Sequence, residues 1–348
     1  PTLELACHAL VWSSATPAGG LEAEVLDQGR GTPEQIEARR DEVRGRIVLV
    51  SHEYMFWTET VHRRVKYEAA KAAGAAGFLI ANRIPGELLV TGSSGRMAAE
   101  DIPAAGITLE GAAALRATGA RYPRVRLTIE TAVTPGTAEC LVVDLPGRGG
   151  AGAGPQWVAL SAHIDGHPLA ESAIDNATGL SAVLAIARAL RPVMAELPRG
   201  LRLLMFNLEE WGVAGSRTYL DGLPAAERDA FALNVNLDAI AGDSHLTALT
   251  SEFPMLPGWL GGIAAEVGTP LAIHEPLMQN SDHFHFARHG IPALRLVAGF
   301  NRQDSALRFL LTPGDTHQIV DQPELSAATR LAAAITLAGL ADGGLDLR

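Results

Sequence analysis

Beyond residue 157 the chain alternates short apolar runs with amphipathic stretches, and this alternation limits the folds open to it more than any other feature. The runs Trp157–Ala162, Leu201–Asn207, Ala232–Leu237 and Ala293–Val297 are five to seven residues long and rich in Leu, Val, Phe and Ala, as buried strands are. Asn176–Leu190, Val213–Leu220 and Pro323–Leu340 instead repeat apolar residues at the spacing of one helical face. A strand that is apolar throughout needs cover on both faces, and helices between successive strands supply it. The pattern therefore predicts a doubly wound α/β domain with a mostly parallel sheet. In such a sheet ligands collect beyond the carboxyl ends of the strands.

The 348 residues suffice for a second core. Ahead of the main pattern, the runs Arg46–Val50 and Gly77–Ala81, the alternating Val125–Thr131 and a helical stretch Arg64–Ala76 predict a smaller α/β domain. Thr131–Thr137 (TAVTPGT) reads as its exit linker, which gives an accessory domain over 1–134 and a catalytic domain over 135–348. The Gly/Pro-rich Leu145–Pro155 reads as a surface loop joining two neighbouring strands, Cys140–Asp144 and Trp157–Ala162. The aromatic segment His52–Trp57 is either core packing or the lip of a pocket.

Charge and composition narrow the function classes. A net charge of −11 with no Lys/Arg cluster argues against nucleic acid as a partner. Two cysteines, Cys7 and Cys140, are too few for a disulfide framework or a thiolate metal site. No apolar run reaches the ~20 residues of a membrane span, so no membrane partner is expected. The chain opens at Pro1 without a Met, which fits a processed or trimmed N-terminus and leaves the cytoplasm and secretion both open. A homo-oligomer is equally compatible with it.

The predicted strand ends carry the chemistry. His163-Ile164-Asp165 follows the first strand, Leu208-Glu209-Glu210 the second and Leu237-Asp238 the third, while Asp175-Asn176 precedes the first helix. Any one of these reads as a cap or a surface residue; the four together converge on one edge. One imidazole with several carboxylates and no thiolate suits Zn²⁺ or Mn²⁺, and an open hydrolytic position favours catalytic zinc. Asp175 is the natural bridge if two ions sit side by side, and Asp165 is placed to orient the His163 ring. Glu209 and Glu210 divide into a metal ligand and a proton acceptor, unless they merely open a helix.

The motifs SAHIDGH…AIDNATGLSAVLAIARAL, FNLEEWGVAGS, NVNLDAI and NSDHFHFARHGIPA resemble those of the co-catalytic zinc aminopeptidase family, which includes bacterial leucyl aminopeptidases. Glutamate carboxypeptidases, glutaminyl cyclases and the transferrin receptor ectodomain are related to it. VRGRIVLV, KYEAAKAAGAAGFLIAN and IPAAGITLEGAAAL resemble a protease-associated domain. The resemblance implies that His163 and Asp238 hold one zinc, Asp175 bridges, Glu210 holds a second zinc and Glu209 is the general base. It also implies a cis peptide at Asp175–Asn176. The family's fifth ligand, a His, precedes a Thr-Pro-x-Asp-Thr segment; here that segment is Thr312–Thr316 and Leu311 stands before it. One or two zinc ions are therefore expected. His167, His283, His285 and His317 are the candidates for the lost ligand, with His283 favoured and His167, Asn176 and His285 placed toward substrate. The expected substrate is a peptide or small amide cleaved by an aminopeptidase. A non-peptide amidase on the same site and a catalytically silent binding protein are the alternatives.

Overall fold

The computed structural model describes residues 3–95, 101–149 and 157–348. The chain forms two compact units, one around each of two mixed sheets, and first passes from one to the other between Gly136 and Thr137.

The first unit is built on six strands: β1 (Cys7–Ala9), β2 (Leu21–Asp27), β3 (Ile47–Ser51), β4 (Gly77–Ala81), β5 (Ala104–Ile107) and β6 (Arg124–Leu127). They lie in the order β1-β5-β4-β3-β2-β6, with β2, β3, β4 and β5 parallel and both edge strands antiparallel. Val25, Ile47, Leu49, Leu79, Ile107 and Leu115 form its core. Each such side chain contributes about 1.5–3 kcal/mol on burial. The helix Pro33–Ala38 starts with a capping box, Thr32 accepting from the Gln35 amide while Gln35 returns a bond to Thr32. Tyr54 and Phe56, from the aromatic segment, are buried and pack edge to face at 5.8 Å, the packing role rather than an exposed one.

The second unit has seven strands: β7 (Leu141–Leu145), β8 (Trp157–His163), β9 (Gly200–Phe206), β10 (Phe231–Leu237), β11 (Leu246–Leu249), β12 (Leu271–His274) and β13 (Ala293–Ala298). Their order is β12-β11-β13-β10-β8-β9-β7, with β13, β10, β8 and β9 a parallel centre. The long helices Thr178–Leu190 and Gln322–Ala341 pack on β8 and β10. Two helical stretches, Ala173–Glu196 and Gln322–Ala341, have the length and hydropathy of membrane spans, although the apolar runs within them are short. Their apolar faces are spent on the sheet.

One expected neighbour relation is corrected. β7 does not pair with β8, because both edges of β8 are taken by β9 and β10. β7 runs antiparallel along β9 instead, where Asp144 faces Arg202 and accepts two hydrogen bonds from it at 2.7 and 2.8 Å. Part of the Gly/Pro-rich connection, residues 150–156, lies outside the described residues.

Candidate functional site

Three adjacent parallel strands, β10, β8 and β9, end side by side, and each delivers polar side chains at its carboxyl end. Neighbouring strands lie about 4.8 Å apart, so residues leaving their ends are already within reach of one ion. His163 closes β8, Glu209 and Glu210 follow β9, and Asp238 follows β10. The chain turns sharply at two of these exits. Leu208 (φ 60°) precedes Glu209, and Ala239 (φ 58°) follows Asp238, both in the left-handed region that non-glycine residues seldom occupy.

Asp175 reaches the same place from the loop between β8 and the helix Thr178–Leu190. The Asp175–Asn176 peptide is cis. The backbone here is held by Asp315, from the Thr-Pro-Gly-Asp-Thr segment, which accepts the Ile174 and Asp175 amides at 2.8 and 3.2 Å. Nothing in the sequence of that segment marks Asp315 as the residue that accepts these amides.

The ligand atoms of His163, Asp175 and Asp238 all lie within 4.8 Å of one another, and all three residues are buried. His163 Nε2 is 3.0 Å from Asp175 Oδ1 and 3.6 Å from Asp238 Oδ1. A second group, His163 with Glu209 and Glu210, meets the same limit. His167 stands four residues beyond His163 on the same loop as Asp175.

Asp165 does more than orient the imidazole. His163 Nδ1 is closest to the Asp165 backbone carbonyl at 3.0 Å, with the carboxylate at 3.4 Å. Both carboxylate oxygens accept backbone amides, Oδ1 from Glu209 and Oδ2 from Glu210, each at 3.2 Å. One residue thus fixes the ring of His163 and the turn that carries both glutamates.

So many acids in one buried place perturb each other. Burial, reinforced by Glu210, Asp238 and Asp282, holds the Glu209 carboxyl well above the glutamate range, with His163 opposing. Burial and then Asp175 do the same to Glu210. Asp238 stays below the usual carboxylate range although burial works against it, because Arg295, His163 and Ser281 favour its charged form. Burial opposes protonation of His163, but the neighbouring carboxylates of Asp165, Asp175 and Asp238 outweigh that and raise it.

Three expected roles change. Asn176, placed toward substrate, spends its side chain on the backbone: Nδ2 donates to Leu237 O, and Oδ1 accepts the Gly179 and Ala239 amides. His283, the favoured replacement ligand, is fully buried, its ring nitrogens have no hydrogen-bond partner among the described residues, and it joins no cluster of three donors there. Burial, then the Arg295 charge, push it down to about 3, so it is a neutral ring turned into the interior. His285 is buried on the same short helix with its ring 5.2 Å from that of Phe284, and it too joins no such cluster. His317 is exposed and pairs with Glu171 at 2.7 Å.

These features match known proteins. Residues 141–336 match the model of peptidase family M28, and residues 8–115 match the PA domain. Aminopeptidase YwaD of Bacillus subtilis is 25% identical over 330 residues, covering 92% of this chain and 68% of its own length. Leupeptin-inactivating enzyme 1 of Streptomyces exfoliatus is 27% identical over 197 residues, 56% of this chain and 44% of that enzyme. The structure of BSAP, a zinc aminopeptidase from Bacillus subtilis, superposes with a TM-score of 0.75 at 25% identity, covering 97% of this chain and 79% of BSAP. With the family model spanning more than half the chain, and the acids and histidine of the strand ends gathered at one edge, the chain belongs to peptidase family M28 and carries a PA domain ahead of its catalytic unit.

Proposed function

We propose that the chain is a zinc-dependent aminopeptidase that releases residues from the N-terminus of peptides. The observation that carries this is the convergence of His163, Asp175 and Asp238 within 4.8 Å, with Glu209 and Glu210 beside them. The donor set fits a cation. Burying this many carboxylates around one imidazole is costly unless a positive charge joins them. Asp238 Oδ1, close to His163 Nε2, has no hydrogen-bond partner among the described residues. An oxygen left unsatisfied beside a histidine is what an ion would occupy.

His163, Asp175 and Asp238 would hold one zinc. Asp175 and Glu210 would hold a second, with Asp175 shared. Zinc bound there would polarise the scissile carbonyl and make water acidic enough to attack at neutral pH. Glu209, on the turn fixed by Asp165, accepts the proton of the attacking water through its carboxylate. It then returns that proton to the leaving amine, so its charge is restored at the end of each turnover. Asp165 keeps Glu209 and His163 in fixed relation throughout.

Glu209→Gln tests this reading, because the amide preserves shape but cannot accept the proton. Zinc content and the melting curve should stay at wild-type values while turnover of aminoacyl arylamides falls by about 10²–10⁴-fold. Blocking the substrate's amino terminus should abolish cleavage by the wild-type enzyme. Equal cleavage of blocked substrates or of simple amides would replace the aminopeptidase with an amidase on the same site.

A further inference from the structure

Arg295 lies in the middle of β13, in the otherwise apolar run ALRLVA, and is 2% exposed. A guanidinium is seldom buried without a partner that demands it. Its place follows from register. Arg295 pairs with Asn236 of β10, and Asn236 pairs with Ser161 of β8, so the three side chains leave the sheet on one face. Asp238 is two residues beyond Asn236 and shares that face.

On this face a directed chain of hydrogen bonds runs toward Asp238. Asn234 Nδ2 donates to Ser161 Oγ (2.9 Å), Ser161 Oγ to Asn236 Oδ1 (2.7 Å), Asn236 Nδ2 to Ser281 Oγ (2.7 Å), and Ser281 Oγ to Asp238 Oδ2 (2.5 Å). Each donor polarises the next in the same sense. Arg295 meets the end of this chain. Its Nη2 is 3.1 Å from the same Oδ2, and its Nη1 donates to Asn280 O at 2.6 Å. The two oxygens of Asp238 are therefore unlike: Oδ2 carries a hydroxyl and a guanidinium, and Oδ1 faces His163 with no hydrogen bond among the described residues.

We propose that Arg295 is a positioning residue that, with Ser281, ties up Asp238 Oδ2, so that Asp238 offers the metal a single oxygen and a charge already partly neutralised. This rests on the reading of Asp238 as a zinc ligand. The arrangement exchanges affinity for definition. A carboxylate free on both sides can bind a cation with one oxygen or two, and the fixed guanidinium removes the second choice while competing with the cation for the carboxylate's charge. The rotation of Asp238 is then set before any ion arrives.

The test is a zinc titration against a chromophoric chelator, with the visible spectrum of the Co²⁺-substituted protein recorded in parallel. Arg295→Met, close in volume and uncharged, should keep the wild-type number of zinc ions and bind the tighter one about ten-fold or more tightly. Its Co²⁺ band should weaken as Asp238 gains a second donor oxygen. Arg295→Lys, which keeps the charge, should return affinity toward wild type. Zinc affinity in Arg295→Met equal to or below wild type overturns the proposal. If Arg295→Met does not fold, Ser281→Ala carries the test by removing the hydroxyl from Oδ2, with loss of the acceptor of Asn236 Nδ2 as its other effect, and an unchanged Co²⁺ band in that variant overturns it. Asp238→Asn separates the underlying reading: loss of one zinc equivalent supports Asp238 as a ligand. Full zinc retention removes it from the ligand set and the proposal with it, whatever Arg295→Met does.

Discussion

Replacing Asp165 by Asn keeps the size and most of the packing of the residue that ties the site together. The carboxylate accepts two amides, from Glu209 and Glu210, each at 3.2 Å. The amide of Asn can accept one of them through its oxygen and must turn its own NH₂ toward the other, so one bond is lost. A hydrogen bond to a charged group is worth about 1.5–3 kcal/mol, and Asp165 is only 11% exposed, so little of this is screened by solvent. If that energy holds Glu209 in position, the competent fraction falls by about ten- to a hundred-fold, at 1.36 kcal/mol per decade. The carbonyl of residue 165, the nearest partner of the His163 ring, is untouched by the change. Metal content should therefore stay constant while kcat falls and KM moves little. The metal-free protein should lose little stability, since the lost bond is offset by one negative charge fewer among Asp175, Glu209, Glu210 and Asp238. The assay is steady-state hydrolysis of an aminoacyl arylamide by protein of measured zinc content. A kcat within two-fold of wild type at full loading would refute the claim that Asp165 sets the base. Zinc loss in parallel with activity would move its main effect to His163.

Two further outcomes follow from the same geometry. Glu210→Gln should lower bound zinc by one equivalent, and His283→Ala should leave it unchanged; metal analysis of the two variants side by side reverses the assignment if the result is inverted. Relative to a Glu209→Gln/Glu210→Gln double variant, the metal-free protein should lose stability as pH rises from 5.5 to 8; the comparison cancels His52, His62, His283 and His285, whose burial lowers their folded values and acts in the opposite sense. The folded values of Glu209 and Glu210 are raised by burial and their acidic neighbours, and that of His163 by its carboxylate partners. The native state thus retains protons that the unfolded chain has released, so this stability is full below the unfolded values and is lost as pH rises through the folded ones. Asp282, pushed up to about 7 by burial, acts in the same direction. Scanning calorimetry of both proteins in chelator checks it; a metal-free wild type whose margin over the variant grows as pH rises contradicts the assignment.

The centre of the catalytic unit was legible because β8, β9, β10 and β13 are continuous apolar runs whose ends carry His163, Glu209, Glu210 and Asp238. Short or half-exposed strands were not. β11 and β12 have four residues each, and β2 reads LEAEVLD, where apolar and glutamate residues alternate only from Leu21 to Val25 before the apolar pair Val25-Leu26 breaks the period. The partner of β7 depends on which edges of β8 remain open, which no local pattern reports. The loop histidines were separable only by the path of the backbone. His283 and His317 look alike in sequence, yet one is enclosed and the other exposed. Arg295 and the two asparagines of β10 did leave a signal, since polar side chains within apolar strands need partners, but nothing in their spacing names Asp238 as the partner.

The contiguity of β10, β8 and β9 also bears on how such a centre can be moved. Its gauge is the interstrand repeat of a hydrogen-bonded sheet, a quantity shared by every parallel sheet, and its donors, Asp175 apart, are the residues at which the chain leaves that sheet. A transplant into another α/β scaffold would then need three parallel neighbours ending level, and two exits able to turn through the left-handed region as Leu208 and Ala239 do. The helices around them could be exchanged, provided the segment that brings in Asp175 is kept. Inserting a single strand between β10 and β8 would spread the donors by about another 4.8 Å and silence the centre without altering one of its side chains.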